Sequence, residues 1–549
     1  MNRQSWLSLW LAAGLIGSAV ARVDEFAAED AVWLTAPGND VAAAARKRAC
    51  PPAVPGDKAP VDIGARLELF IDDYLIDGLS GGAERRLHHP VPREVTMEFG
   101  ARAMPWDVLI GYPTIVRDGD RFLLYYRGMF VNDQYRQKHG GGTGSVEESI
   151  QMFIKDSRAR DQVVCVLESQ DGINFIRPEL GLFDLSDRLA GVTTNNNVVW
   201  AEGHPTHNFT PFLDANPAAS PDARFKAIAR RPPGVKGGIL CGFKSPDGLR
   251  WEVMDRNGGF ARHPTDSQNL GFWDAARGYY VCYMRAWGGY PDKRQDNVRC
   301  IRLATSPDFI NWSETEDLQY NDDRLEHLYT NAIHPYERAP HILIGLPNRF
   351  WPDRVVHRDY GRLGVNDIVL MSSRDGKLFD RWNESFVRPE IGRDFWTDRA
   401  YRPTANMVQT SPTELSFYWS EFNWLPTMRL RRGTLRVDGF VSVRAGGTPG
   451  EMITRPLIFS GDRLVVNFAT SAAGALWFEL CDAAGLPLPG FAFADSEELY
   501  GNEIEHVVAW QGGADLAALR GRPVRLRVRL DDADLYSICF TGAGKLPEG

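Results

Sequence analysis

Five short stretches, each just ahead of a strand-like run, gather residue types able to do acid–base chemistry. PWDVLIGYPTIV offers Asp107 and Tyr112, and GHPTHNFTPFLD offers His207 and Asn208. TDSQNLGFWD offers Asp266, Gln268 and Asn269, with Arg285 and Trp287 closing the strand that follows. LEHLYTNAIHP brings Glu326, His327, Tyr329 and Asn331, with Arg349 later, and TDRAYRPTANM brings Arg399, with Glu421 after it. Any one Asp or Asn at a strand start is more often a turn cap than a catalyst. Together the set supplies what hydroxyl-rich rings require. Two carboxyl groups serve as acid and as base or nucleophile, amides hold hydroxyls, and aromatic faces cover C–H surfaces. Arg285, Arg349 and Arg399 add planar cations suited to carboxylate or sulfate, with pairing to blade-turn aspartates as the alternative.

Residues so far apart in the chain must be brought together by the fold, and a repeated turn indicates how. SQDGINF from Ser169, SPDGLRW from Ser245, SPDFINW from Ser306 and SRDGKLF from Ser373 share one pattern. Its Ser and Asp side chains can bond nearby backbone N–H groups, Gly accepts a positive φ, and the last aromatic returns inward. Each copy follows strand-like runs rich in β-branched and aromatic residues, and helical periodicity is scarce. The repeating unit is therefore a four-stranded antiparallel sheet of propeller-blade size. Units fall at about 111–178, 195–255, 266–315 and 327–384, with a fifth at 399–444 where RGTLRVDGFVSV replaces the turn. LELFIDDYLI is expected to help close the ring. Past Gly450, alternating apolar and polar positions without the turn read as a β-sandwich. The expectation is an all-β chain: a five-bladed β-propeller over 63–448, then a β-sandwich over 449–549. The inner strands of such a propeller line a channel, at one mouth of which the five polar stretches meet.

The amino terminus MNRQSWLSLWLAAGLIGSAVA has one positive charge, a short apolar run and an Ala-Val-Ala ending, as a cleaved secretory signal over 1–21 would. Residues 22–62 read as a leader or linker, and the protein is expected to be secreted or periplasmic, with no membrane span after cleavage. A formal charge of −9 without a basic stripe argues against nucleic acid. Seven cysteines, two of them at equivalent repeat positions (Cys165 and Cys241), read as buried thiols rather than a disulfide framework. No zinc-ligand spacing and no dinucleotide fingerprint occurs, so no cofactor is expected, although a structural calcium on loop carboxylates is compatible with the chain.

The S-x-D-G-x-x-W turns, the opening YPTIVRDGDRFLLYY and the trailing β-rich region resemble the five-bladed propeller glycosidases. These are glycoside hydrolase families 32, 68, 43 and 62 and the related phosphorylases. The resemblance spans roughly Leu67 to Phe540 and implies a carbohydrate substrate, with three acidic residues from the first strands of early blades. The chain departs from that pattern: Tyr112-Pro113 stands where relatives read D-P, and Asn208 stands near the second Asp. The resemblance therefore implies a glycosidase with a relocated carboxylate pair drawn from Asp107, Asp266 and Glu326. Tyr112, His207, Asn208, Gln268, Asn269, Arg285, Trp287, His327, Tyr329, Asn331, Arg349, Arg399 and Glu421 would line the substrate site. Two rival readings stay open: a polysaccharide lyase using Tyr, His and Arg on a uronate, and a carbohydrate-binding propeller without activity.

Overall fold

The computed structural model describes residues 50–100, 104–141, 144–263, 265–288, 298–358 and 363–542. The expected signal segment, and the leader as far as residue 49, lie outside them. Ala53–Gly549 forms one compact unit.

The repeated turn folds as its chemistry requires. The Ser169 hydroxyl accepts from the Gly172 amide at 2.9 Å, and the Asp171 carboxylate accepts from the amides of Ile173 and Asn174 at 2.8 Å each. The same bonds recur at Ser245–Asp247 and Ser373–Asp375. In the Ser306 copy Phe309 takes the glycine position at φ 66. Its ring is buried against Phe212, Tyr280 and Trp312, which offsets the strained backbone.

Each turn leaves the third strand of a sheet. The first sheet runs Leu109–Asp118, Arg121–Val131, Arg160–Ser169 and Val198–Trp200. Two helices, α1 (Asp133–Lys138) and α2 (Val146–Lys155), interrupt it between the second and third strands. The second runs Thr210–Leu213, Phe225–Arg230, Leu240–Ser245 and Glu252–Val253, and the third Leu270–Asp274, Tyr279–Trp287, Arg299–Ser306 and Glu316–Asp317. The fourth is built on His334–Tyr336, Ala339–Gly345, Val365–Ser373 and Leu378–Val387. In the fifth, Arg402–Pro403 and Val408–Ser411 both pair with Glu414–Glu421, which pairs with Arg429–Arg436. Its outermost strand is Val91–Glu98, from the other end of the chain. LELFIDDYLI does not do this: Leu67–Leu69 pairs with Arg525–Thr541 instead. Val198–Trp200, expected to open the second unit, completes the first sheet.

First strands of consecutive sheets lie against one another, apart from the fourth-to-fifth step, where Val365–Ser373 meets Arg402–Pro403; the order of contacts then returns from the fifth sheet to the first. At that seam the Ala405 amide donates to the Pro113 carbonyl at 2.9 Å, and the Ile115 amide donates to the Ala405 carbonyl at 3.0 Å. The turn glycines supply a second fastening. Tyr125 of the first sheet donates to the Gly248 carbonyl of the second at 2.9 Å, and Tyr283 of the third to Gly376 of the fourth at 2.8 Å. Tyr418 of the fifth donates to Gly172 of the first, across the seam.

The long strands after Gly450 belong to a six-stranded sheet in the order Ile76–Leu87, Val441–Thr454, Arg525–Thr541, Arg463–Cys481, Asn502–Val507, with Leu67–Leu69 on its side, while Leu457–Phe459 pairs in parallel with Val61–Gly64 in a separate two-stranded sheet. Its long members bend at irregularities between Ala445 and Gly450 and between Thr470 and Ala475. Its core includes Phe468, Phe478, Val528 and Phe540, all buried. Val441–Thr454 runs through the expected boundary at 448/449. All seven cysteines are unbridged, and Cys165, Cys241, Cys282, Cys481 and Cys539 are buried. Among the described residues no helix is long and apolar enough to cross a membrane.

The fastenings rank by chemistry. Tyr418→Phe removes one hydrogen bond at the seam and is expected to cost about 1 kcal/mol. Gly248→Ala puts a methyl 2.6 Å from the Tyr125 hydroxyl on a backbone at φ 78, so its thermal unfolding midpoint should fall below that of Tyr418→Phe.

Candidate active site

Side chains from all five sheets meet where the polar stretches precede the first strands. Tyr112 arrives by a bulge: between Gly111 and Thr114 the strand carries one residue more than its partner. The bulge turns Tyr112 to φ 52, a region bulky residues rarely enter. Its hydroxyl lies 3.3 Å from that of Tyr329, from the loop before the fourth sheet, and 3.4 Å from the Asp266 carbonyl, from the loop before the third. Arg399, also left-handed at φ 54, donates to the Tyr329 hydroxyl at 3.1 Å. Tyr112 is buried and Tyr329 part-exposed.

Five guanidinium groups surround this phenol pair. Arg127 stands 4.6 Å and Arg402 5.4 Å from the Tyr112 ring centre, and Arg299 and Arg399 each 5.2 Å from that of Tyr329. Arg285 and Arg299 flank the half-exposed Trp287 at 4.8 and 4.5 Å. A side chain on Gly111 would come within 2.6 Å of the Arg127 guanidinium, so glycine there gives Arg127 its place. Among the described residues two carboxylates answer the five cations: Asp266 pairs with Arg285, and Asp398 grips Arg399 through both oxygens. Among the described residues Arg127, Arg299 and Arg402 have no carboxylate at ion-pair distance.

This excess of positive charge sets the protonation states. Burial opposes ionisation of Tyr329, but the Arg399 charge, the hydrogen bond from Tyr112 and the Arg402 charge prevail and bring its pKa down to about 7. Tyr112 is pushed up, by burial and by the charge on Tyr329. Burial and the neighbouring Arg402 charge lower Arg127 to about 10, against the pull of Tyr112. His207 takes a hydrogen bond from Arg127 on Nδ1 at 2.9 Å, and burial with that charge holds it well below its usual range. Burial and Arg299, 3.0 Å away, likewise depress His327.

The expected site residues divide three ways. Tyr112, His207, Asp266, Arg285, Trp287, His327, Tyr329 and Arg399 stand at the cluster. The amides form its frame: they are fully or almost fully buried and bond backbone. Asn208 and Asn269 both donate to the Ser267 carbonyl at 2.8 Å, Gln268 donates to the Pro113 carbonyl at 2.9 Å, and Asn331 to the Tyr283 carbonyl at 3.2 Å. They position the loops rather than present groups to a ligand.

The rest have partners elsewhere. Asp107 is fully buried in the first sheet's core, bonded to Tyr126 and Arg177 at 3.0 Å each. Burial raises its pKa, opposed by Arg177, but no contact of its own reaches the phenol pair. Glu326 faces Arg324, Arg349 and Arg381 at 3.4–3.7 Å, and Arg349 is bidentate to Asp367. Glu421 is buried between Arg429 and Arg431, at 2.6 and 3.0 Å. Sequence reasoning passed over Arg127, Arg299 and Arg402. The register that puts Arg127 opposite Gly111 carries the signal for the first.

No protein-family model matches the chain, and no curated protein matches it in sequence. Its structure is similar to those of carbohydrate-active proteins. A family 43 arabinoxylan arabinofuranohydrolase from Bacillus subtilis aligns at TM-score 0.37 and 11% identity, over 82% of this chain and 99% of its own. A β-1,2-mannobiose phosphorylase from Listeria innocua aligns at 0.36 and 9%, over 70% and 94%. An N-acetylgalactosamine deacetylase from F. plautii aligns at 0.37 and 13%, over 64% and 94%.

A phenol ionising near neutrality has a direct signature. Difference ultraviolet titration should show one phenolate forming around pH 7 in the native protein and none there in Tyr329→Phe. Tyr112→Phe, which loses the hydrogen bond that favours the anion, should move that step to higher pH. Because the folded-state pKa lies below the unfolded one, native stability relative to Tyr329→Phe should rise between about pH 7 and pH 10 and be lost on acidification through 7.

Proposed function

We propose that the five sheets form a five-bladed propeller and that the chain is a secreted carbohydrate-active enzyme cleaving glycosidic bonds of an anionic saccharide at the tyrosine–arginine cluster. One observation carries this reading: five guanidinium groups and the exposed edge of Trp287 converge around the phenol pair, answered among the described residues by two carboxylates. Planar cations suit a sugar carboxylate or sulfate, and the aromatic face suits a pyranose ring. The apolar amino-terminal run with its Ala-Val-Ala ending supports export. Hydrolysis, the reaction the resemblance implies, retains one solvent-facing carboxyl at the cluster, Asp266, whose side chain is 63% exposed beside Arg285.

Matched neutral and anionic oligosaccharides test this. The anionic member is expected to be bound and cleaved, the neutral one far more weakly. Arg299→Ala, removing a cation that has no carboxylate partner among the described residues, should raise KM for the anionic substrate roughly ten- to a hundredfold, as expected for the loss of a charged hydrogen bond. Equal handling of both substrates by the native protein would remove the anionic reading, and binding with no cleavage would make the propeller a receptor.

A further inference from the structure

The spacing of the two phenols bears on how the bond is broken. Hydrolytic pairs flank the glycosidic bond, with carboxyl groups about 5–5.5 Å apart for retention and about 6.5–9.5 Å for inversion. Here the two phenol oxygens are 3.3 Å apart, hydrogen-bonded, and so sit on the same side of anything bound over them. Among the described residues, the carboxyls that could oppose them are paired: Asp107 with Arg177, Glu326 with three arginines, Glu421 with two, Asp398 with Arg399, and Asp266, the one that faces solvent, with Arg285.

Resting on the reading of an anionic saccharide, we propose that Tyr329 and Tyr112 act as base and acid on one face of a 4-linked uronate residue whose C5–H and C4–O bonds lie on that same face, as in glucuronate, breaking its glycosidic bond by syn β-elimination. The Tyr329 oxygen, as phenolate, takes the proton from C5, the carbon bearing the carboxylate. The C5–H electron pair becomes the C4–C5 double bond as the C4–O bond breaks, and the departing oxygen takes the Tyr112 hydroxyl proton. The step leaves Tyr329 neutral and Tyr112 anionic. One proton transfer across the 3.3 Å hydrogen bond restores the starting state. Neither water nor any co-reactant is consumed, and charge is conserved throughout.

The surrounding groups serve this sequence. A C5 proton is acidic enough to remove only if the adjacent carboxylate is neutralised, and Arg299 stands beside Tyr329 with no carboxylate of its own among the described residues. Arg399, bonded to the Tyr329 oxygen and fixed by Asp398, holds the base as an anion. Against burial, Arg399, Tyr112 and Arg402 bring the Tyr329 pKa to about 7, so rate should rise with pH through that value.

The test uses the full chain and tetrasaccharides of 4-linked glucuronate, the expected substrate, and of 4-linked galacturonate, whose C5–H and C4–O bonds lie on opposite faces and which is expected to be the poorer one. Elimination predicts one ultraviolet-absorbing, unsaturated end for each new reducing end, and no label in the products when the reaction runs in oxygen-18 water. Tyr329→Phe and Tyr112→Phe should each lose roughly a hundred- to ten-thousandfold in kcat while keeping substrate affinity and, below pH 7 where Tyr329 is neutral, an unfolding midpoint close to the native one. Should either variant unfold, the label experiment on the native protein decides alone. New reducing ends carrying oxygen-18 and lacking the absorbance would mean hydrolysis: elimination would fall and the cleavage of an anionic saccharide would stand. Absence of any cleavage of both uronate substrates would also overturn elimination. A sulfated saccharide cleaved under the same conditions would then keep the anionic reading, and cleavage of neutral saccharides alone would end both. Near-native rates in Tyr329→Phe would remove that residue as the base.

Discussion

The site depends on keeping Tyr112 in a conformation its side chain disfavours. A bulky residue at φ 52 costs on the order of 1–3 kcal/mol and persists only where its neighbours over-determine it. Here the next carbonyl, that of Pro113, receives two hydrogen bonds from different sheets: the Ala405 amide of the fifth at 2.9 Å, and Gln268 before the third at 2.9 Å. Pro113 also has its own φ locked near −65° and lacks an amide hydrogen that would otherwise need a partner in the bulge. The seam that closes the fifth sheet on the first is thus the joint that aims Tyr112. Fastening at Gly172 by Tyr418 and the strand Val91–Glu98 on the outer edge of the fifth sheet support the chemistry indirectly, by keeping that seam shut.

Charge is the second constraint. Guanidinium groups packed within 4.5–5.4 Å of shared aromatic rings repel one another, and their partial burial adds a solvation cost. Aromatic faces offset part of it, Asp266 and Asp398 more, and an ionised Tyr329 more again. The cheapest remaining remedy is an external anion. A conventional carboxylate nucleophile would neutralise the same arginines and repel a negatively charged sugar. On the reading proposed above, a phenol, neutral in one state and anionic in the other, would let the cluster keep its attraction for such a ligand until the proton moves.

How much of this was legible in the sequence follows from which interactions are local. The S-x-D-G turns bond within themselves, so four of the five sheets could be placed from composition and spacing alone. The fifth lacks the turn, and its outer strand comes from Val91–Glu98, a pairing between chain ends that no local pattern announces. The location of the polar cluster was readable, since each stretch precedes a strand-like run. The roles within it were not. Asp107 meets Arg177 seventy residues on, Glu326 meets arginines from three separate segments, and the amides turn inward to carbonyls of neighbouring loops. A carboxylate's availability depends on its tertiary partner, and one sequence does not reveal that partner. Tyr112 stands out in the sequence because it occupies the place of an expected acid; its partner Tyr329 reads there only as one of the substrate-binding residues.

Two identical side chains acquire opposite roles here through position alone. Tyr329 receives hydrogen bonds from Arg399 and Tyr112, which favour its anion, and Tyr112 must give its proton toward that anion, which favours its neutral form. A second phenolate 3.3 Å from the first would meet like charge at contact distance, so the pair holds one proton between two oxygens over a wide pH range. An acid and a base that share a proton also reset without help, since the group that has donated lies within hydrogen-bond reach of the group that has accepted. Separate carboxylates on opposite walls of a pore need water to exchange their roles. The bulge at Tyr112 closes that distance, which gives a physical reason for strain at this one strand start.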